Sequence, residues 1–89
     1  MVSVSDLKSV LAEMITFVEM CDLGREALNQ YKVFNAKFSE LHRQYRIERK
    51  LSPNQSDGFD LVRNAVSNAF QFKNKAFLEE ARARLEAIS

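Results

Sequence analysis

Glycine, proline and cysteine are scarce in this chain, and tryptophan is absent. Its 89 residues include two glycines, one proline and one cysteine. So few glycines argue against glycine-rich phosphate-binding loops. The lone Cys21 cannot form an intramolecular disulfide or a cysteine-based zinc site, which favours a reducing compartment. No apolar run approaches the roughly 18 residues of a membrane span, and the first residues lack the basic segment of a signal peptide, so we expect a soluble cytoplasmic protein without membrane attachment.

The composition is that of one folded domain with little net charge. Apolar residues make up 46% of the chain, which has seven phenylalanines and a formal net charge of +1. This content is too apolar for a disordered segment, and the length predicts a single helical domain spanning residues 1–89. The low net charge argues against a nucleic-acid binder whose whole surface is basic. Any electrostatic function must therefore be local.

The spacing of apolar residues is helical nearly throughout, which predicts an all-α fold. We expect a small bundle of three helices, or of four if the last one breaks. The first helix should start near Ser3 or Ser5 and end at Gly24, where a glycine commonly adopts the left-handed conformation. It is expected to be the most buried helix, because its apolar residues span a wide arc: Val4, Leu7, Val10, Leu11, Met14, Ile15, Phe17, Val18 and Cys21.

The second and third helices should form a long antiparallel pair. The second is predicted over residues 25–50, and the third should start at the sequence SPNQ of residues 52–55, where a serine cap, a proline and a glutamine complete a capping box. Asp57 is a competing start, since Gly58 weakens the earlier one. The second helix carries a heptad-like seam that fits a neighbouring helix at a shallow crossing angle: Tyr31, Phe34, Phe38, Leu41 and Tyr45.

The last apolar residues do not continue the face of the third helix. Lys73 interrupts that face, and beyond Phe77 the apolar side is rotated by roughly 90°. Either the helix breaks near residues 72–75, with Asn74 as a cap, or its last turns pack against a second copy of the chain. The rotated face, which is predicted to serve self-association, consists of Leu78, Ala81, Leu85 and Ile88.

Charge is distributed unevenly along the chain. Residues 1–24 carry one lysine and four acids (net −3), residues 25–50 carry seven bases and three acids (net +4), and residues 51–89 carry five of each. On the second helix six of the seven bases, all except Lys37, fall with His42 within an arc of roughly 120° beside the aromatic seam, with the glutamates on the other side. The residues predicted there to bind a partner or an anion, named the basic stripe below, are Lys32, His42, Arg43, Tyr45, Arg46, Arg49 and Lys50.

The basic stripe has a structural interpretation beside the functional one. Cations at the end of a helix offset its partial negative charge by about 0.3–1 kcal/mol each, and Asp57 or Asp60 could neutralise Arg49 or Lys50. Functionally, arginine suits the carboxylates of an acidic protein surface or the phosphates of a nucleic acid or nucleotide. We favour neutralisation for the last two residues of the stripe. His42 has no nucleophile or second metal ligand recognisable beside it and is expected at the surface.

No catalytic, cofactor-binding or metal-binding signature is present, so we predict a protein that is not an enzyme and takes no cofactor. The seam and the rotated face offer more apolar surface than a small monomer easily hides. The predicted function is a helical interaction protein, of inhibitor, adaptor or chaperone type, that forms a homodimer or higher oligomer and binds a protein partner. The alternative is a binder of nucleic acid or a nucleotide through the basic stripe. A helix-turn-helix over residues 41–72 is disfavoured, because its second helix begins with acidic residues.

Overall fold

Four α-helices account for most of the computed structural model, which describes residues 4–48 and 50–88. They are α1 (Val4–Met20), α2 (Arg25–Ile47), α3 (Pro53–Gln71) and α4 (Phe77–Glu86). No strand occurs within these described ranges, and the predicted all-α class is confirmed. The last helical residue of α2 precedes the predicted end at residue 50 by three positions. The expected cap at Ser3 lies outside the described residues.

α1 carries the centre of the hydrophobic core. Five of its predicted apolar residues have no exposed surface: Leu7, Leu11, Met14, Ile15 and Val18. Because this buried arc is wide, α1 contacts all three of the other helices. Val10, Phe17 and Cys21 lie at the edges of the arc and are half-buried.

The turn between α1 and α2 differs from the predicted one. Leu23, and not Gly24, has the left-handed backbone, with φ 59°. Gly24 is the N-cap of α2 in an extended conformation, and its amide donates to Asp22 Oδ1 at 2.8 Å. A Cβ at Gly24 would also lie 2.8 Å from that oxygen. A larger residue at position 24 would have to displace the Asp22 side chain, and the expected glycine helix end is wrong.

The start of α3 is specified locally. Ser52 Oγ accepts a hydrogen bond from the Gln55 amide at 3.2 Å, and Gln55 Oε1 accepts one from the Ser52 amide at 3.0 Å. Pro53 occupies the first helical position, where its missing N–H costs nothing. The predicted capping box is confirmed, and the competing start at Asp57 is wrong.

The chain reverses direction between α3 and α4. Lys73 adopts the left-handed backbone, with φ 49°. Asn74 Oδ1 accepts a hydrogen bond from the Ala76 amide at 2.9 Å. The helix therefore breaks where the sequence indicated a break, and α4 packs against α3 and α1.

This reversal buries the face that was predicted to serve self-association. Leu78, Ala81, Leu85 and Ile88 have exposed fractions of 3%, 0%, 7% and 6%. The packing is close, since a Cβ at Gly58 would come within 2.9 Å of Ile88 Cγ1. These four residues belong to the core of the single chain, which corrects the expectation that they form an exposed surface for a second copy.

α2 lies along the outside of the unit that the other three helices form. It contacts α1 and α3, whereas no described Cα atom of α2 lies within 8 Å of one in α4. Ring contacts across α2 and α3 run in opposite directions along the two helices: Tyr31 meets Phe70 at 5.1 Å between centroids, and Phe38 meets Phe59 at 5.8 Å. The two helices are antiparallel, as predicted.

Candidate functional site

Fewer residues of the basic stripe are seen at the surface of the structure than the sequence predicts. Lys32, Arg43 and Arg46 are exposed on α2. Lys50 is also exposed but lies beyond the end of the helix, and Arg49 lies outside the described residues. Among the described residues of the stripe, three helical cations and one cation in the following turn are therefore exposed.

Two of the exposed cations pair with glutamates. Arg43 Nη2 lies 2.9 Å from Glu40 Oε1, and Lys50 Nζ lies 3.7 Å from Glu48 Oε2. The expectation that these glutamates face away from the stripe is wrong, because residues three apart are neighbours on a helix surface and Glu48 is in the turn beside Lys50. Lys50 also lies over the ring of Tyr45, which is only 2% exposed. The stripe presents less free positive charge than the sequence indicates.

His42 is buried between α2 and α3. Its exposed fraction is 2%, and its ring packs against Phe38 and Phe59 at centroid distances of 5.5 and 5.7 Å. Its Nε2 lies 2.9 Å from Ser56 Oγ, and its Nδ1 lies 3.8 Å from Asp60 Oδ1. The expected surface position of His42 is wrong. At 100° per residue it falls on the border between the stripe and the seam, and α3 covers that border.

Arg63 of α3 bridges to α2 beside this histidine. Its Nε donates to Asn35 Oδ1 at 2.9 Å and its Nη2 to Ser39 Oγ at 2.8 Å. Its Nη1 lies 3.4 Å from Asp60 Oδ1, within α3. Within the described residues Asp60 has no ion pair with Lys50, so the predicted neutralisation of Lys50 by this carboxylate is wrong.

Ser56, His42 and Asp60 have the connectivity of a hydrolase triad, but their geometry does not suit catalysis. The separation of 3.8 Å between His42 Nδ1 and Asp60 Oδ1 exceeds a hydrogen-bond distance. The histidine has only 2% of its surface exposed, which leaves no room for a substrate against the ring. The three side chains therefore support the packing of α2 on α3.

The residues of this polar interface were not all singled out from the sequence. The available signal is their spacing: positions 35, 39 and 42 on α2 and positions 56, 60 and 63 on α3 recur at intervals of three and four. Residues at these intervals share one helix face. Two polar rows with matching spacing, on helices that are expected to pair, indicate a polar contact between them.

The surroundings of His42 disfavour its charged form. Burial lowers the pKa of His42 below its usual value near 6.5, because an apolar environment destabilises the imidazolium. Asp60 opposes this effect and raises the pKa, whereas Arg46 and Arg63 lower it further. Burial is the largest of these causes, so the neutral imidazole is the form that the fold favours.

Acidification is expected to destabilise the fold through this histidine. Since the pKa of His42 is lowered in the folded state, the unfolded state binds the proton first, and stability is lost as the pH falls below about 6.5. Thermal unfolding followed by circular dichroism from about pH 7.5 to about pH 5 should show a falling midpoint. His42→Gln should flatten that dependence. An equal pH dependence in both proteins would show that the carboxylates, and not His42, cause it.

A cluster of apolar side chains is exposed where α1 ends and α2 begins. Met20 is 83% exposed; Phe17, Cys21 and Phe34 are half-buried, and the rings of Phe17 and Phe34 are 5.7 Å apart. Met20 and Cys21 are three and four residues after Phe17, so both lie near the Phe17 side chain at the end of α1. We name this surface, formed by Phe17, Met20, Cys21 and Phe34, the apolar end.

Two adjoining surface cavities border the apolar end. One of about 520 Å³ is lined by Phe17, Cys21 and Ala27 together with charged residues of the turn. The other, of about 470 Å³, is lined by Val33 and Phe34 among others, and Gln30 lines both cavities. Concave surfaces with an apolar lining and a polar rim are typical of binding sites.

Metal and membrane sites receive no support from the described residues. Residues 4–48 and 50–88 contain no group of three or more acidic, histidine or cysteine side chains that could hold a metal ion. No described helix is long and apolar enough to cross a membrane. Comparisons with known protein families, with curated proteins and with solved structures found no match to this chain.

Proposed function

We propose that this chain is a small non-enzymatic interaction protein, of inhibitor, adaptor or chaperone type, that self-associates and binds a protein partner in the cytoplasm. The observation that carries the proposal is the apolar end. An 83% exposed methionine lies there three residues after Phe17, whose ring is 5.7 Å from that of Phe34 and lines the larger of the two cavities. The fold is a small helical bundle, which presents this surface on rigid elements.

The chemistry of the apolar end fits a protein partner. Single exposed apolar side chains are ordinary, whereas a contiguous group with a polar rim marks an interaction surface. The flexible, polarisable side chain of Met20 adapts to varied apolar surfaces. The charged rim carries both signs, through Asp22, Arg25 and Glu26, so it would orient a partner without selecting a strongly acidic or basic one.

Replacement of Met20 by glutamate tests the proposal. Tagged wild-type protein, Met20→Glu and the matched control Leu61→Glu would each be expressed in the cells of origin and recovered, with bound proteins identified by mass spectrometry. Leu61 is a suitable control because it is 44% exposed on α3. The wild type and the control should recover the same partner, and Met20→Glu should reduce its recovery at least about tenfold, which corresponds to about 1.4 kcal/mol. Equal recovery by all three proteins, or recovery of no partner by the wild type, would contradict the proposal.

Anion binding through the basic stripe is the second candidate function. Arg46 and Lys32 support it, since both are exposed and neither has an ion pair among the described residues. The pairing of Arg43 with Glu40 weakens it. The same recovered samples, assayed for nucleic acid and nucleotides, distinguish this candidate from protein binding.

A further inference from the structure

The outward side of α2 carries a second surface, which adjoins the apolar end at the cavity that Asn29, Val33 and Lys37 line together with Phe34. Its members recur at intervals of three and four along the helix and lie within an arc of roughly 80°. All of them are exposed, and they are named the outer strip: Glu26, Asn29, Val33, Lys37, Glu40, Gln44 and Ile47. The side chains that α2 turns towards α1 and α3 lie on other sides of the helix, so no other helix of the described chain covers this strip.

Two large aliphatic side chains of the outer strip, Val33 and Ile47, lie two heptads apart, with glutamates at the other two positions of the seven-residue repeat. Val33 and Ile47 are 58% and 69% exposed, and positions 26, 33, 40 and 47 are spaced by seven residues. Large aliphatic side chains at such spacing insert between the side chains of a facing helix. Two of them separated by two heptads, about 21 Å along the helix axis, indicate an elongated contact surface.

The charges of the outer strip suit a copy of the same strip. Lys37 and Glu40, of opposite sign, lie near the midpoint between Val33 and Ile47. In an antiparallel pair with its two-fold axis at the level of residue 39, position i faces position 78 − i of the partner. Position 37 then faces position 41 and position 33 faces position 45. Lys37 therefore comes within one helical turn of the partner's Glu40, and Val33 within one turn of the partner's Ile47.

The two Glu40 carboxylates approach each other near this axis without an excess of negative charge. Glu40 Oε1 already accepts a hydrogen bond from Arg43 of its own helix at 2.9 Å, and its side chain is 55% exposed. In this arrangement the second carboxylate oxygen would accept from the partner's Lys37. Each glutamate would thus meet one cation of its own chain and one of the partner chain.

We propose that the outer strip of α2 binds the outer strip of a second copy, with the two α2 helices antiparallel about a two-fold axis near residue 39. The proposal rests on the self-association that forms part of the proposed function, and it identifies the surface responsible. This surface is distinct from the buried face of α4, which is closed to a second copy within the fold.

Charge exchange at residues 37 and 40 tests the arrangement. The wild type, Lys37→Glu, Glu40→Lys and the double exchange K37E/E40K would be studied by sedimentation equilibrium at low salt, with Leu61→Glu as a matched control and circular dichroism to verify helicity. In each single variant both symmetric charge pairs become repulsive, so the dimer dissociation constant should rise roughly tenfold or more. The control should dimerise like the wild type.

Two restored complexes make the test specific. The double variant should dimerise more tightly than either single variant, because exchanging both charges places opposite signs across the axis again in both symmetric pairs, although the exchange also removes the pairing of Glu40 with Arg43. An equimolar mixture of Lys37→Glu and Glu40→Lys should form a heterodimer, since one chain is acidic at both positions and the other is basic. A wild type that stays monomeric at all concentrations, a dimer that both single variants leave unchanged, or a mixture that fails to associate would each overturn the proposal.

Failure of this proposal is distinguishable from failure of partner binding. Met20→Glu changes the apolar end and leaves Lys37 and Glu40 in place, and sedimentation of the purified chain measures self-association separately from the recovery of a partner. A monomeric wild type that still recovers a partner through Met20 overturns the two-copy arrangement and keeps partner binding. A third outcome is a monomeric purified chain whose partner is lost with Lys37→Glu. The outer strip then binds a different protein, and the two-copy arrangement is overturned.

Discussion

Phe59→Ala is expected to lower the free energy of unfolding by about 3–5 kcal/mol. Phe59 has no exposed surface and lies where α2 and α3 meet, with its ring 5.8 Å from that of Phe38 and 5.7 Å from that of His42. Truncation removes these contacts and leaves a cavity. The neighbouring rings fill it only in part, because the two helices that carry them are rigid. Small domains have a total stability of about 5–15 kcal/mol, so this variant should be close to unfolding.

Urea denaturation monitored by circular dichroism measures this loss. Leu61→Ala is the matched control, because residue 61 lies two positions further along the same helix and is 44% exposed; it should cost less than about 1 kcal/mol. Similar losses in the two variants would contradict the placement of Phe59 at the centre of the α2–α3 contact. An unchanged slope against urea in both variants verifies that the difference lies in stability.

Arg63→Met is expected to cost about 1.5–3 kcal/mol, because it removes the donor that joins α3 to α2. Methionine keeps the apolar stem but leaves Asn35 Oδ1 and Ser39 Oγ without the guanidinium that binds them. The guanidinium also lies 5.5 Å from the centroid of the Phe38 ring, and this contact is lost too. Arg63→Lys should recover only part of the lost stability, because an ammonium is a point donor and lacks the planar fork that binds Asn35 and Ser39 at once.

Arg84→Met is the matched control for this substitution. Arg84 Nε binds Glu80 Oε1 at 2.9 Å, but both side chains are more than 40% exposed, and such pairs contribute at most about 1 kcal/mol.

A second readout separates electrostatics from packing. The chain has one histidine, so its imidazole proton resonance reports one titration, and loss of Arg63 should raise the pKa of His42. An Arg63→Met protein as stable as Arg84→Met would exclude Arg63 as the link between the helices.

Features that depend on a few neighbouring residues were predictable from the sequence. The capping box at residues 52–55 needs only a serine, a proline and a glutamine at fixed spacing, and the structure contains it. The break near residues 72–75 was one of the two alternatives that the rotation of the apolar face left open, and the structure contains it. The turn at residue 24 was predicted less well, because Leu23 has the left-handed backbone, and Gly24 is extended, with its amide bound to Asp22 Oδ1.

Features that depend on where helices meet were not predictable in the same way. A helical wheel placed His42 with the bases, since only a small angle separates it from Arg46 and from the aromatic seam. The position of α3 decides the outcome, and no local pattern specifies that position. For the same reason the face of α4 looked free for a second copy, whereas the reversal after α3 folds it onto α1. The binding roles of the exposed stripe and of the apolar end stay predictions.

The position of α2 outside the other helices has a consequence for partial unfolding. α1, α3 and α4 all contact one another, and within the described residues α2 has no contact with α4. Detachment of α2 would therefore leave the contacts among the other three helices in place, at a lower free energy than global unfolding. A second copy bound to the outer strip would stabilise the attached state by mass action. The population of molecules with α2 detached would then fall as the protein concentration rises, so self-association and the attachment of α2 are linked.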